Sequence, residues 1–155
     1  MITVTSLLKI GEEFVPVEQW HGPLAEPDYV DGAIELVVDG VAILDQGVWD
    51  LVDFLWEGIV EALEALQARD AFDMPFPDQP LDLRFRRLPR GRLRLVLDLP
   101  GVARAVECAL EEFVAAVVPA AASFFGHLMR LGGAHGPTDQ AVLARLAGLA
   151  EHRWQ

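Results

Sequence analysis

Residues 33–44 read Ala33-Ile34-Glu35-Leu36-Val37-Val38-Asp39-Gly40-Val41-Ala42-Ile43-Leu44, two apolar runs rich in β-branched residues on either side of one dipeptide. Asp-Gly favours the positive φ angles of a type I′ turn, and this turn matches the twist of two strands joined by two residues. The segment therefore predicts a β-hairpin with strands over 33–38 and 41–44.

A helical pattern follows this hairpin at once. Asp45 is a suitable N-cap, and apolar residues then recur every three or four positions as far as Leu66. Residues 70–80 are rich in Asp and Pro, which predicts a linker that does not continue the helix. Upstream, Ile2, Val4 and Leu8 predict an edge strand. Residues 11–32, with their Gly and Pro, predict irregular chain with one short strand near 14–17.

The C-terminal half repeats the succession of hairpin and helix. Apolar and charged residues alternate over 81–86 and again over 92–99, which predicts a second hairpin with one buried and one polar face. From Val102 to about Leu131 the pattern is helical, although Pro119 must kink that helix or divide it in two. A last amphipathic helix is predicted from about Thr138 to His152.

This order of elements predicts an α+β fold. We expect an antiparallel sheet of about four to five strands, in two hairpins, packed against three to four helices. At 155 residues, 52% of them hydrophobic, the chain is long enough to bury a core of its own as a single globular domain spanning 1–155.

Negative charge dominates the composition. The chain has 24 acidic and 12 basic residues, a formal net charge of −12. No Lys or Arg occurs between Lys9 and Arg69, where fourteen acidic residues fall, so nearly all of the excess lies in the first half. Such a field repels phosphate and attracts basic proteins. We therefore expect a basic protein partner and no binding of nucleic acid.

The expected compartment is the cytoplasm. The only cysteine is Cys108, so no internal disulfide can form, and the first residues do not resemble a signal peptide. The run from Phe113 to Leu131 is long enough to span a membrane. Because it is rich in Ala and contains Pro119, a buried core helix is the better interpretation, and no membrane association is predicted.

The residues supply no catalytic constellation. Ser6 and Ser123 lie outside any nucleophile motif, and Cys108 falls in an apolar helical pattern that is typical of a buried thiol. The histidines do not have metal-ligand spacing, although His21-Gly22-Pro23 and His135-Gly136-Pro137 repeat one tripeptide. No glycine-rich phosphate loop is present. We predict no catalytic residue, no metal site, no cofactor and no enzymatic activity.

One charged pattern suggests a binding site on the first predicted helix. Acidic residues recur there every three or four positions and form a stripe flanked by an aromatic side chain; the predicted partner-binding residues are Asp50, Asp53, Phe54, Glu57, Glu61 and Glu64. A solvated surface face would show the same spacing. The stripe could equally pair inside the molecule with the arginines that share one face of the second hairpin, Arg84, Arg86, Arg92 and Arg94. Spacing alone does not distinguish an internal from an external partner.

Part of the chain resembles a known class of protein. Residues 29–36, the Asp39-Gly40 turn, Ile43-Leu44 and residues 49–56 together resemble small bacterial immunity proteins of polymorphic toxin systems, over roughly residues 29–66. That resemblance implies a cytoplasmic α+β protein that neutralises a toxin, as one half of a toxin–antitoxin pair, by tight binding. It implies no shared catalytic residues.

Three hypotheses of function follow. The first is a binding protein, an immunity protein among them, that holds a basic toxin surface through the acidic stripe. The second is a small-ligand or enzyme domain that uses the arginine face of the second hairpin or the His-Gly-Pro loops. The third is a homodimer formed through the Ala-rich helix with Phe124 and Phe125.

Overall fold

The computed structural model describes residues 1–132 and 136–155, and over these residues it confirms the α+β class with antiparallel strands. The strands form two sheets rather than one. In the first sheet the order is β2-β1-β3-β4, and a short β5 also pairs with β3. Its strands are β1 (Ile2–Ile10), β2 (Glu13–Pro16), β3 (Asp31–Val38), β4 (Val41–Leu44) and β5 (Asp50–Leu51). β1 is therefore an interior strand, and the edge position predicted for it is wrong because β2 and β3 pair with its two sides.

The second sheet has the order β6-β7-β8-β9 and consists of successive hairpins. Its strands are β6 (Ala71–Pro75), β7 (Asp82–Leu88), β8 (Arg92–Leu99) and β9 (Val102–Ala109). The predicted hairpin of β7 and β8 is confirmed. β6 lies where a linker is predicted, because Met74 is buried on its inner face and Phe72 pairs opposite Phe85.

Within the described residues three α-helices complete the fold: α1 (Val52–Leu66), α2 (Leu110–Arg130) and α3 (Gly136–Glu151). α1 packs on β3 and β6, α2 packs on β1, and α3 packs on α2 and α1. Pro119 lies inside α2 without dividing it, so one helix of 21 residues replaces the two shorter helices that the proline allowed.

The hairpin at residues 33–44 has the predicted turn. Asp39 and Gly40 have φ angles of 48° and 83°, and Val38 lies opposite Val41 in the ladder. The amino terminus also reaches this turn, because Met1 binds the Asp39 carboxylate and accepts a hydrogen bond from the Asp39 amide. The turn thus joins the first hairpin to the start of β1.

The helix predicted from Val102 begins only at Leu110, because residues 102–109 form β9. Gly101, with a φ of 76°, turns the chain directly after β8. Val106 and Cys108 then lie opposite Leu95 and Leu93 and are buried with them. Buried and exposed residues alternate along β9, but the sequence does not make this alternation evident. The residues between the buried ones are small or charged, so the segment also fits the pattern of an amphipathic helix.

One hydrophobic core joins both sheets and the three helices. Phe85 of β7 and Phe113 of α2 meet edge to face at 6.3 Å within it. α2 is long and apolar enough to cross a membrane, with a mean hydropathy of 1.5, yet one face of it is buried in this core, including Phe113, Val117, Phe124 and Leu128. In this structure α2 is a core helix, as predicted.

A buried hydrogen bond links α1 to β1. Trp56 Nε1 donates to Ser6 Oγ at 2.9 Å, and both residues are buried. Tryptophan has a single polar atom, so this hydroxyl is what allows the ring to be buried completely. The second serine, Ser123, is exposed on α2.

We expect Ser6→Ala to lower the free energy of unfolding by about 1–3 kcal/mol, because it leaves the Trp56 N–H buried without its acceptor. Urea denaturation checks this result. Ser123→Ala is the matched control and should change stability by less than about 0.5 kcal/mol. Equal effects of the two substitutions would contradict the role assigned to the Trp56 bond.

Candidate functional site

The start of α1 differs from the prediction and changes the acidic stripe. The Asp45 side chain accepts a hydrogen bond from the Gly47 amide at 2.9 Å and caps a single 3₁₀ turn, Gln46–Val48. The chain then extends as β5, and α1 begins at Val52. Asp50 therefore lies in a strand before the helix and is not part of a helical stripe.

Asp50 is a structural residue and not a surface ligand, which corrects its prediction as a partner-binding residue. Its side chain is 3% exposed. Its carboxylate accepts hydrogen bonds from the amides of Leu51 at 2.7 Å, Asp78 at 3.1 Å and Gln79 at 3.0 Å. Gln79 Nε2 also donates to the Trp49 carbonyl at 2.6 Å. Asp50 thereby holds the loop after β6 against the start of α1.

Asp53 is also buried, with 5% of its surface exposed, so it too is removed from the predicted contact surface. It lies in the first turn of α1. A carboxylate there is favoured by the positive end of the helix dipole, which is a structural reason for an acid at this position. Charge reversal of Asp53 would test the fold rather than partner binding.

Glu64 is engaged inside the molecule by an arginine that the sequence did not single out. Arg145 of α3 donates through Nε to Glu64 Oε2 at 3.1 Å, and its Nη2 donates to Oε1. The hydrogen bond with Glu64, together with the nearby charges of Glu57 and Glu61, raises the pKa of Arg145 above its ordinary value. Internal pairing of the acidic helix therefore occurs, but with α3.

Two of the four arginines on this face of the second hairpin form ion pairs within their own sheet. Arg84 Nη1 lies 2.9 Å from Asp98 Oδ2, and Arg86 Nη1 lies 2.7 Å from Asp73 Oδ1. Arg94 stands opposite Glu107 of β9 in the ladder. These cross-strand pairs account for the alternation of charge on β7 and β8.

The remaining predicted residues, Phe54, Glu57 and Glu61, line one groove of about 700 Å³ on the exposed side of α1. Gly58 lies between them on the same stripe. The loop that Asp50 holds forms the opposite side; the other lining residues are Tyr29, Leu51, Met74, Pro75, Phe76, Pro77 and Arg145. Half of the predicted site is thus brought together, with an apolar wall facing an acidic one.

Gly58 gives this groove its shape. A Cβ atom at this position would lie 2.9 Å from Met74 Sδ, so the absent side chain lets Met74 approach the helix backbone. Phe54 precedes the glycine by one helical turn, and Glu61 follows it by three residues. The Met74 thioether therefore occupies the space that a side chain at position 58 would fill.

Large exposed aromatic side chains border the groove. Tyr29 is 61% exposed and Phe54 is 38% exposed, and both line it. Nearby Trp49, 37% exposed, carries the ammonium of Lys9 at 4.8 Å from its ring centroid. Exposed aromatics of this size are enriched at protein interfaces.

Sequence reasoning missed the far side of the groove. Tyr29 gives no periodic signal because it lies in an irregular segment, and Arg145 is a single charge on α3. The one available signal is the Pro75-Phe76-Pro77 run, since an aromatic residue between prolines in a polar loop is unusual.

The histidines form no metal site in the part of the chain that the structure describes, where no group of three His, Cys, Asp or Glu is placed to hold an ion. His21 and His127 instead bracket Arg130, whose guanidinium nitrogens lie 3.4 and 3.3 Å from their Nδ1 atoms. His152 packs edge to face on Trp154. His135 lies outside the described residues, so the second hypothesis, in which the two His-Gly-Pro loops line a pocket, stays a prediction.

The homodimer contact predicted through Phe124 and Phe125 is wrong in its residues. The two rings are 0% and 1% exposed and pack edge to face with centroids 5.1 Å apart. They belong to the core of the single chain, because α2 turns this side towards β1. A contact between copies would need other side chains.

Cys108 is a buried thiol of β9, 4% exposed. Burial raises the pKa of Cys108 to about 11, and the Glu112 carboxylate adds to the shift. Since only the thiolate is a nucleophile, Cys108 has the properties of an inert core residue at neutral pH.

We expect Asp50→Asn to lower the free energy of unfolding by about 1–3 kcal/mol, since an amide keeps the shape but replaces one acceptor oxygen by a donor facing backbone N–H groups. Urea denaturation at pH 7 measures the loss. Asp78→Asn, at an exposed side chain whose backbone amide binds Asp50, is the control. A stability of Asp50→Asn within 0.5 kcal/mol of the parent would contradict the role of Asp50.

We expect native Cys108 to react with a thiol reagent at pH 8 at least about 100-fold more slowly than the denatured chain, because its raised pKa and its burial both oppose attack. Between pH 8 and 10 the native rate should keep rising, whereas the denatured rate should level off above the ordinary thiol pKa. The release of the coloured leaving group of a disulfide reagent measures both. Equal native and denatured rates would be inconsistent with a buried thiol.

Comparison with known proteins assigns no function to this groove. No protein-family model, curated protein or solved structure matches the chain. The resemblance of residues 29–66 to immunity proteins therefore stays a prediction, and the groove along α1 is interpreted from its own geometry.

Proposed function

We propose that the protein is a non-enzymatic binding protein that holds a basic protein partner in the groove along α1. The observation that carries the proposal is the composition of this groove. Exposed aromatic side chains, Tyr29 and Phe54, stand beside the carboxylates of Glu57 and Glu61 on a rigid helix. Aromatic anchors next to charged groups are the usual content of an interface hot spot.

The charge of the whole chain supports a basic partner. The net charge is −12, and no Lys or Arg occurs between Lys9 and Arg69, the half that supplies α1. The cation that lines the groove, Arg145, is bound to Glu64. A partner with a positive surface is therefore attracted over long range and would associate faster at low salt.

The rigidity of the groove supports tight binding. α1 is buried along its inner side, and Asp50 fixes the opposite wall through backbone hydrogen bonds. A surface that is already ordered loses little conformational entropy on association. These properties suit an inhibitor that must neutralise a toxin, which is the biology that we propose for the chain, in the cytoplasm of a bacterium.

We expect Glu57→Lys/Glu61→Lys to weaken binding of the toxin domain encoded immediately upstream by at least about tenfold in 150 mM salt, because both carboxylates face the groove. The double substitution Glu12→Lys/Glu151→Lys makes the same change in net charge at exposed positions outside the groove and should weaken binding by less than about threefold. Biolayer interferometry with the purified toxin domain measures both. The salt dependence of the association rate should fall more for the groove variant than for the control, because the groove charges lie closest to the partner.

The same protein pair tests the biology. Co-expression should restore growth to cells that make the toxin domain, and the groove variant should fail to restore it although its circular dichroism spectrum shows that it is folded. A cytotoxic upstream domain that does not bind the parent protein would refute the immunity role. Equal loss of affinity in the groove and control variants would refute the groove as the binding surface.

A further inference from the structure

We infer that the contact surface for the partner extends beyond the groove onto the face of the first sheet that points away from the core, with Trp49 as its apolar centre. The inference rests on the proposed function and names what the partner presents, an apolar centre with a basic rim. The aromatic surface consists of Tyr29, Trp49, Leu51 and Phe54. Among the described residues six large hydrophobic side chains are exposed, and three of them belong to this surface, so exposed apolar area is concentrated here.

The aromatic surface is continuous from the groove to the sheet. Trp49 and Leu51 are two residues apart in extended chain, so both side chains point to the same side, and the buried Asp50 between them points to the other. Leu51 then lines the groove together with Tyr29 and Phe54. Tyr29 also lines a smaller cavity of about 150 Å³ on its other side. The partner therefore meets one connected surface rather than separate aromatic side chains.

An apolar floor lies beside Trp49 on the first sheet. Ser6 faces α1 through its bond with Trp56, so its neighbour Leu7 points away from the helices. Leu7 stands opposite Ala33, and both are buried. Since Gly32 stands opposite Asp50 in the next ladder, Trp49 comes beside Ala33. The ring of Trp49 thus rests next to apolar side chains of the sheet and forms part of a packed surface.

Trp49 is held in position through its backbone and its ring. Gln79 Nε2 donates to the Trp49 carbonyl at 2.6 Å. The ammonium of Lys9 lies 4.8 Å from the ring centroid, and Lys9 Nζ also donates to the Gly11 carbonyl at 2.8 Å. A side chain that is ordered before binding loses little conformational entropy on association. Ordered tryptophan side chains are the residues most enriched among interface hot spots.

The rim of the aromatic surface is acidic. Asp31 stands opposite Leu51 in the ladder and is exposed, and the exposed Glu26 lines the smaller cavity with Tyr29. Lys9 is the only Lys or Arg before Arg69, and the Trp49 ring already accommodates its ammonium. Charge complementarity therefore favours a partner with a basic rim. A second copy of the chain, with its net charge of −12, is a poorer occupant.

Nuclear magnetic resonance titration of the full ¹⁵N-labelled chain tests the surface without the partner. The probes are 3-phenylpropylamine and 3-phenylpropionate, which share a ring and a chain and differ in charge. The amine should shift the Trp49 indole N–H signal and the amides of residues 29–31 and 49–51 saturably. The carboxylate should bind at least about fivefold more weakly, because the rim is acidic. Equal affinities, or shifts centred elsewhere, such as at Val102, would overturn the inference.

Alanine variants test the surface with the toxin domain encoded upstream. Trp49→Ala should weaken binding at least about 30-fold, mainly through faster dissociation. Tyr29→Ala, at a side chain 61% exposed, is a second variant that removes little packing and should weaken binding at least about fivefold. Val102→Ala, at an equally exposed apolar side chain of β9, is the control. Affinities of both Trp49→Ala and Tyr29→Ala within about threefold of the parent would refute the extended surface.

Lys9 provides a footprint that needs no variant. The chain has a single lysine, so acetylation of amines is confined to Lys9 and the α-amino group of Met1, and mass spectrometry of peptides separates the two. Bound toxin domain should slow acetylation of Lys9 at least about tenfold, because the centre of an interface excludes solvent, and should leave Met1 within about twofold. Lys9 that reacts as fast in the complex as in the free chain would contradict the inference.

The outcomes separate this inference from the function on which it rests. If the toxin domain binds and Glu57→Lys/Glu61→Lys weakens binding, but the Trp49 and Tyr29 variants do not, the extended surface is wrong and the groove stands. If the amine probe binds selectively at Trp49 but the toxin domain does not bind, the immunity role is wrong and the aromatic surface stands. If neither binds, both are wrong.

Discussion

The burial of α1 constrains everything else in this fold. Val52, Trp56, Val60, Leu63 and Leu66 are each fully buried, so the helix is enclosed by β3 and β6 on one side and by the other helices beyond them. A 15-residue helix enclosed in this way keeps only a narrow strip for polar groups. The core therefore fixes the backbone positions of the strip of Phe54, Glu57, Gly58 and Glu61, because the buried face of α1 cannot shift without repacking the core.

This strip has an electrostatic cost that the structure only partly offsets. Acids four residues apart on a helix repel each other by a few tenths of a kcal/mol per pair, and α1 itself contains no basic residue. Arg145 relieves the C-terminal end of the strip through Glu64. Glu61 is exposed and Glu57 is half-buried, and both carboxylates line the groove.

The sequence predicts those elements that depend on interactions between neighbouring residues, and it predicts less well those that depend on contacts between distant segments. The turn at Asp39-Gly40 is fixed by backbone preferences of two residues, and both hairpins were predicted. The sequence predicts a helix over the residues of β9, because the strand depends on pairing with β8 and that contact lies outside the segment. Spacing predicts that Asp50 belongs to the stripe, but the chain is extended at Asp50 and α1 begins only at Val52. The acids of the site follow from spacing, whereas Tyr29 and Arg145 reach it only through the tertiary fold.

The second sheet and the groove along α1 differ in how their charged side chains are paired. In the second sheet Arg84 pairs with Asp98 and Arg86 pairs with Asp73, so these four charges cancel at short range and project little field. One wall of the groove is instead made of proline and aromatic side chains. A low-dielectric wall beside carboxylates strengthens their attraction for an incoming cation relative to an open surface. The apolar wall that Asp50 holds in place thus contributes to the electrostatics of the site as well as to its shape.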